Sequence, residues 1–216
     1  MQPAILFDLD GTLLDTAPDL LFALNQLLCE QGLHPITLKD FKPIASLGSK
    51  ILLRKLFGID EMNPAFHSLR ERFFTLYQNH IADNTCFFPK MDHVLDQLDE
   101  NNIPWGIVTN KLTQHTFSLL KALKIHDRAK CIVCGDTLMK SKPDPLPLLH
   151  ASRLLQLIPS NCLYVGDTFC DVTASKAAGM QSIVALYGYT DHNLDPHAWL
   201  ADGYIKTPVE ILDLLP

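Results

Sequence analysis

The run Ile5-Leu6-Phe7-Asp8-Leu9-Asp10-Gly11-Thr12-Leu13-Leu14-Asp15 sets the strongest constraint on what this chain can become. An apolar segment leads directly into two carboxylates spaced by two, so on an extended backbone both leave on the same face. Gly11 and Thr12 then end the strand. Asp-Gly is also a common turn pair, and the tripeptide taken alone reads first as a surface β-turn. At the mouth of a buried strand, however, two carboxylates repel each other unless a proton or a cation sits between them. A divalent metal is the simplest remedy.

Beyond position 88, short apolar runs alternate with helical patterns, the signature of a parallel sheet covered by helices. The apolar runs predict strands at Ala4–Leu9, Pro104–Thr109, Cys131–Cys134, Asn161–Val165 and Gln181–Leu186, with a weaker edge strand at Gly203–Ile205. Helices are predicted at Met91–Asn101, Thr113–Leu123, Pro145–Leu157, Asp171–Ala178 and Pro208–Leu215, with Gly179 as the stop after Ala178. The interval from Thr16 to Asp83 breaks the alternation and holds no strand pattern. There Thr16 and Asp19 bracket Pro18 as a helix start, and Leu20, Leu21, Leu24, Leu27 and Leu28 make an apolar face that ends before Gly32. Ile51–Phe57 and Ala65–Tyr77 read as further helices. The expected fold is α/β: a doubly wound, Rossmann-like parallel sheet core, residues 1–15 and 84–216, with an inserted α-helical domain, residues 16–83. Two tethers, near Asp15 and near Asn84–Phe88, would join them.

If the first strand is central, with the next two on one side and the last two on the other, strand order reverses between the first and the fourth. Ligands of such sheets bind outside the carboxyl ends of the strands at that reversal. Asp8 and Asp10 end the first strand, Thr109 the second and Asp167 the fourth, so residues distant in sequence converge on one crevice.

Composition narrows the function classes. With 216 residues, 47% of them apolar, the chain can bury a sizeable core and exceeds the commonest single-domain size of about 100–150 residues. A net charge of −6 and the absence of a Lys/Arg run argue against a nucleic-acid or anionic-membrane surface, so an anionic substrate must meet a locally positive site. The core strand beginning at Ala4 leaves no room for a signal peptide, and no apolar run approaches the ~18 residues of a membrane span. A soluble, cytoplasmic protein is expected. Of six scattered cysteines, Cys131 and Cys134 form a C-x-x-C pair on an apolar strand-like run with no second pair, which reads as structural rather than as zinc or redox chemistry. The nine histidines form no HxH or HExxH pattern, so a histidine-built metal site is not expected.

Asp8-Leu9-Asp10-Gly11-Thr12 resembles the nucleophile motif of the haloacid dehalogenase superfamily of phosphotransferases. The other three motifs of that family follow in order. Thr109-Asn110 comes after the apolar run Trp105 to Val108, Lys142 opens Lys142-Pro143-Asp144-Pro145, and Gly166-Asp167-Thr168-Phe169-Cys170-Asp171 follows Leu163 to Val165. Each alone reads as an ordinary strand cap or turn; the four in order, each at the end of a predicted strand, carry the resemblance.

The resemblance implies that the helical insertion is a mobile cap closing over the site, with the tethers as hinges. It implies Asp8 as the nucleophile of an aspartyl-phosphate, and Asp10 as the acid that protonates the leaving group and then deprotonates water, its backbone carbonyl on the metal. Mg²⁺, which prefers hard oxygen ligands, would be held by Asp8, Asp10 and Asp167, with Asp171 in support. Thr109, the Asn110 N–H and Lys142 would grip the phosphoryl oxygens, as would the turn at Gly11 and Thr12. In the insertion, Ser46-Leu47-Gly48-Ser49-Lys50 is the most loop-like stretch, and Ser46, Gly48, Ser49 and Lys50 are the expected contacts to the part of the substrate that does not react.

Within the superfamily the phosphoglycolate phosphatase branch fits best. The segments from Trp105 to Lys111, Cys134 to Thr137, Tyr164 to Asp167, Ala177 to Met180 and Tyr187 to Tyr189 are also similar to the bacterial N-acetylmuramic acid 6-phosphate phosphatases of that branch. The resemblance therefore implies a Mg²⁺-dependent phosphatase of a small phosphorylated metabolite, working as a monomer or homodimer. A phosphomutase remains an alternative, since it shares both aspartates and the cap, and a non-catalytic phospho-acceptor domain is a more distant one. A dehalogenase would lack the second aspartate, here Asp10.

Overall fold

The first strand, β1 (Ala4–Phe7), is buried along its whole length and lies inside a six-stranded parallel sheet. A computed structural model of the chain describes residues 3–190 and 195–215, so residues 1–2 and 216 at the ends of the expected core lie outside the described residues. The further sheet strands are β4 (Trp105–Val108), β5 (Ile132–Val133), β6 (Cys162–Gly166), β7 (Gln181–Ala185) and β8 (Gly203–Ile205). Their order is β5-β4-β1-β6-β7-β8, so the chain moves to one side of β1 and then to the other. Ile5 is level with Trp105 on one neighbour and with Leu163 on the other.

Period two explains why these runs are apolar throughout. Ile5 and Phe7 join Trp105, Ile107 and Val165 on one face, under Met91, Val94 and Leu98 of α5 (Met91–Glu100) and Leu119 and Leu120 of α6 (Thr113–Ala122). Ala4 and Leu6 join Cys162 and Tyr164 on the other, under Leu148 and Ala151 of α7 (Leu146–Leu154) and Ala174 and Ala178 of α8 (Phe169–Ala178). A parallel strand covered on both faces has no solvent side on which to place polar residues. Gly179, at φ +73°, ends α8.

Two short strands, β2 (Leu14–Asp15) and β3 (Cys86–Phe87), pair antiparallel, so the two tethers run side by side. Between them lie α1 (Ala17–Glu30), α2 (Leu38–Ala45), α3 (Gly48–Phe57) and α4 (Pro64–Asn79). Leu24, Leu27, Phe41, Leu53 and Phe73 from these helices share one apolar cluster with the sheet face that carries Phe7. Asp19, fully buried in the first turn of α1, accepts hydrogen bonds from the backbone N–H and side chains of both Asn84 and Thr85 at 2.7–3.1 Å. One carboxylate thus ties the start of α1 to the returning tether.

Several sequence expectations are corrected. The helix α2 has no counterpart in the sequence reading, because Pro43 inside it looks like a breaker and only Phe41 and Ile44 are buried. It is capped at its start, where Thr37 Oγ1 accepts from the Asp40 N–H at 3.2 Å. The stretch expected as a loop over 46–50 is shorter, since Gly48, Ser49 and Lys50 form the first turn of α3, whose N–H groups have no intrahelical acceptor. The strand expected at Cys131–Cys134 pairs only over Ile132–Val133, and the C-terminal segment winds as a 3₁₀ helix over Pro208–Leu214. Among the described residues, no helix is long and apolar enough to cross a membrane.

Candidate active site

Asp8 leaves the carboxyl end of β1, and its N–H donates to the Val165 carbonyl at 2.9 Å, so the neighbouring strand holds its direction. Its carboxylate faces the ammonium of Lys142, with Nζ 2.9 Å from Oδ1. The same ammonium lies 2.7 Å from Asp171 Oδ1 and 2.7 Å from the Tyr164 hydroxyl. Asn110 holds the Lys142 backbone at both ends: its Nδ2 donates to the Lys142 carbonyl at 2.9 Å and its Oδ1 accepts from the Lys142 N–H at 3.0 Å. Thr109 continues β4 with its N–H on the Val133 carbonyl, and is buried beside them.

Asp167 leaves the end of β6, where Thr12 Oγ1 donates to one oxygen at 3.0 Å and the Tyr189 N–H donates to the other at 2.8 Å. Gly11, between Asp10 and Thr12, has φ +85°, and a Cβ there would stand 2.4 Å from Asp167 Oδ2. Only glycine lets the backbone pass so close. Asp171 is held by the start of α8: Thr168 donates to Oδ2 through its N–H at 3.0 Å and its hydroxyl at 2.6 Å, in a reciprocal capping box.

The carboxylates of Asp8, Asp167 and Asp171, all buried, offer oxygens within 4.8 Å of one another. Burial pushes the Asp8 carboxyl up to about 7; Lys142 opposes that shift and the charges of Asp171 and Asp10 add to it. Burial, with Asp171 and Asp8 nearby, raises Asp167 well above the ordinary carboxylate range. Burial works against the charge of Lys142 too, but Asp171 and Asp8 outweigh it and keep the ammonium protonated. One ammonium among three buried carboxylates leaves the cluster short of positive charge, and its donors are hard oxygens. That set fits a hard divalent cation such as Mg²⁺.

The carboxylate of Asp10 turns away from this cluster. Its Oδ1 accepts from Thr16 Oγ1 at 2.6 Å and from Lys111 Nζ at 2.9 Å. Lys111 also lies over the Tyr77 ring, 4.5 Å from its centroid. A cavity of about 520 Å³ opens above both aspartates, and its other wall comes from the helices between the tethers. Ser46, Gly48 and Ser49 line it, whereas Lys50 is exposed and outside the lining.

Sequence reasoning assigned no role to Lys111, Arg70, Tyr77, His115 or Tyr189, all of which line the cavity. For Lys111 the signal was adjacency to Thr109-Asn110. Tyr189 fixes Asp167 through its N–H and bridges the Ala17 N–H and Asp15 through its hydroxyl, at 2.8 and 2.7 Å. Arg70, Tyr77 and His115 lie on amphipathic helices, where periodicity shows a buried face but not what that face looks onto.

Comparison with known proteins agrees with this geometry. The family model for haloacid dehalogenase-like hydrolases matches residues 5–185. A phosphoglycolate phosphatase of Xylella fastidiosa is 40% identical over 205 residues, covering 94% of this chain and 89% of the relative. An N-acetylmuramic acid 6-phosphate phosphatase of Pseudomonas putida is 34% identical over 208 residues, covering 96% and 93%. The crystal structure of a predicted phosphoglycolate phosphatase from Haemophilus somnus shares the fold, with a TM-score of 0.88 at 24% identity over 99% of this chain and 97% of that one. The chain belongs to the haloacid dehalogenase-like hydrolases, and it is a phosphatase.

Proposed function

We propose that the protein hydrolyses a small phosphomonoester through an aspartyl-phosphate on Asp8, with Mg²⁺ held by Asp8, Asp167, the backbone carbonyl of Asp10 and, in support, Asp171. The observation that carries this reading is the single ammonium, Lys142, set 2.9 Å from Asp8 within a buried group of three carboxylates at the floor of the cavity. The bound cation would offset negative charge on the transferring phosphoryl group.

In the first step an Asp8 oxygen attacks phosphorus, the bond from phosphorus to the ester oxygen breaks, and Asp10 gives its proton to the departing alkoxide. In the second, Asp10 takes a proton from water as that water attacks phosphorus, and the bond to Asp8 breaks to release inorganic phosphate. Lys142 favours the ionised form of Asp8 needed for attack. Thr109, the N–H of Asn110 and Lys142 would hold the equatorial oxygens. The N–H groups of Gly11 and Thr12, expected from the sequence to share that role, instead donate to the Leu14 and Leu9 carbonyls at 2.9 and 3.4 Å, and neither residue lines the cavity. Asp10 must give up its contact with Thr16 or Lys111 to reach the ester oxygen, so we assign residues 16–83 as a cap whose closure on the tethers accompanies that turn. Of the substrates named for the relatives, the two-carbon phosphoglycolate would occupy a small part of a cavity of about 520 Å³, while an N-acetylated hexose phosphate would fill far more of it. The cavity favours the sugar phosphate.

The test is phosphate release from a panel of phosphomonoesters with Mg²⁺ and after EDTA, for wild type and Asp8→Asn. Activity that needs the metal and disappears in a folded Asp8→Asn protein is expected. A well-folded Asp8→Asn protein retaining more than a few per cent of wild-type turnover overturns the mechanism.

A further inference from the structure

The cavity is lined by three cationic side chains among the described residues, Lys142, Lys111 and Arg70. Two are already neutralised: Lys142 by Asp8 and Asp171, and Lys111 by Asp10. Arg70, on α4 and half-buried, has no acidic partner among the described residues. Its Nε donates to Ser49 Oγ at 3.1 Å, and its guanidinium lies over the Phe74 ring, 4.8 Å from the centroid. Those two contacts fix the plane of the group and leave its Nη edge without a hydrogen-bond partner among the described residues. A planar, oriented, always charged fork of donors is matched to a carboxylate or a phosphate.

The neighbourhood is built for a polar ligand as well. The Tyr77 hydroxyl, one α4 repeat further on, is buried, lines the cavity and has no hydrogen-bond partner among the described residues. The Lys111 ammonium stands against the same ring, and a polar ligand atom beside the hydroxyl would complete its hydrogen bonding. His115, between the Phe74 and Tyr77 rings, is bound to Gln78 Oε1 at 2.9 Å. Burial, with Lys111 and Arg70 close by, lowers its pKa to about 4, so it adds no charge near neutrality and Arg70 is the cation of this wall.

We infer that Arg70, positioned by Ser49 and Phe74, binds a carboxylate on the non-reacting part of the substrate and makes the protein selective for phosphomonoesters that carry one. The inference rests on the proposed phosphatase reaction at Asp8 and deepens it: the phosphoryl end meets the core floor and the acid end meets the cap wall. Phosphoglycolate and N-acetylmuramic acid 6-phosphate, so different in size, both carry a carboxylate in addition to the phosphate. That is the chemistry an arginine with no acidic partner among the described residues, across the cavity from the phosphate site, would read.

Two matched substrate pairs isolate the carboxylate. Phosphoglycolate differs from 2-hydroxyethyl phosphate, and N-acetylmuramic acid 6-phosphate from N-acetylglucosamine 6-phosphate, by the acid-bearing group. We would measure kcat/KM on all four for wild type, Arg70→Met, Arg70→Lys and Ser49→Ala, with thermal melting as the check on folding. Wild type is expected to prefer the acid member of at least one pair by about tenfold or more, and Arg70→Met to erase most of that ratio. Arg70→Lys, which keeps the charge and loses the fork, and Ser49→Ala, which frees the guanidinium, should fall between. If wild type prefers the acid member and a folded Arg70→Met or Arg70→Lys protein keeps the full ratio, the assignment of Arg70 is overturned. A wild type that hydrolyses the esters without preference overturns the carboxylate selectivity. A wild type that hydrolyses no phosphomonoester overturns the proposed reaction instead.

Discussion

Lys142 Nζ and Asp8 Oδ1 lie 2.9 Å apart at the floor of the cavity, and both side chains are withdrawn from solvent. The pair is not isolated: Asp171 stands on the far side of the same ammonium, 2.7 Å away. Lys142 therefore both faces the proposed nucleophile and supplies the counter-charge that makes two buried carboxylates tolerable.

Lys142→Met is expected to abolish turnover and to destabilise the fold by roughly 3–5 kcal/mol, because it strands buried charge rather than removing a surface pair. Urea unfolding would measure this, and Mg²⁺ should restore part of the loss by supplying positive charge to the same oxygens. A variant as stable as wild type in metal-free buffer would contradict the role given to the ammonium.

Gly11→Ala should damage the metal site more than the fold. Its φ of +85° strains any Cβ by roughly 1–2 kcal/mol. The larger effect follows from the 2.4 Å approach to Asp167 Oδ2, which must shift the carboxylate. Metal affinity, read from Mg²⁺ activation curves or calorimetric titration, is expected to fall by roughly 10–100-fold. Gly32→Ala is the control, since Gly32 has φ +70° with nothing within 4 Å of the added Cβ. Equal effects of the two variants on metal affinity would refute the reading.

The metal-free protein should lose stability as pH rises through neutrality. Asp8 moves from an ordinary 3.8 up to about 7, and Asp167 also moves upward, so between these values the folded chain holds protons that the unfolded chain has released. Stability is then greatest below the unfolded value and declines as pH climbs through the folded one. Mg²⁺ would take the place of those protons. The rise in melting temperature on adding Mg²⁺ should therefore be larger at about pH 8 than at about pH 5. A gain that does not change with pH would show that these carboxylates are not the ones the metal relieves.

The sheet was legible because its evidence is local. Each strand of a parallel sheet covered on both faces is an apolar run, and Asp8, Thr109 and Asp167 each stand directly after such a run. Once strand order is right, their convergence follows from topology. The helices between the tethers were harder to read. Helix α2, with Pro43 inside it and only two buried residues, carries too weak a pattern. Lys50 or Arg54 is the cation the sequence offers for an anionic group, yet neither lines the cavity, Arg54 pairs with Glu61, and the cation of that wall is Arg70, in the next helix.

The sequence by itself determined the α/β class, the succession of strands in the main sheet, and the placement of Asp8, Thr109, Lys142 and Asp167 at strand ends or in the loops beyond them. These follow from hydrophobic period and chain direction, which depend on near neighbours. Only the tertiary structure decided which charges meet. Lys111 reaches Asp10 across 101 positions, Thr12 reaches Asp167 across 155, and Arg70 is left without an acid among the described residues. Whether a buried charge is paired, and how far its pKa moves, depends on what packing brings within a few ångströms of it, and the spacing of residues along the chain does not contain that distance.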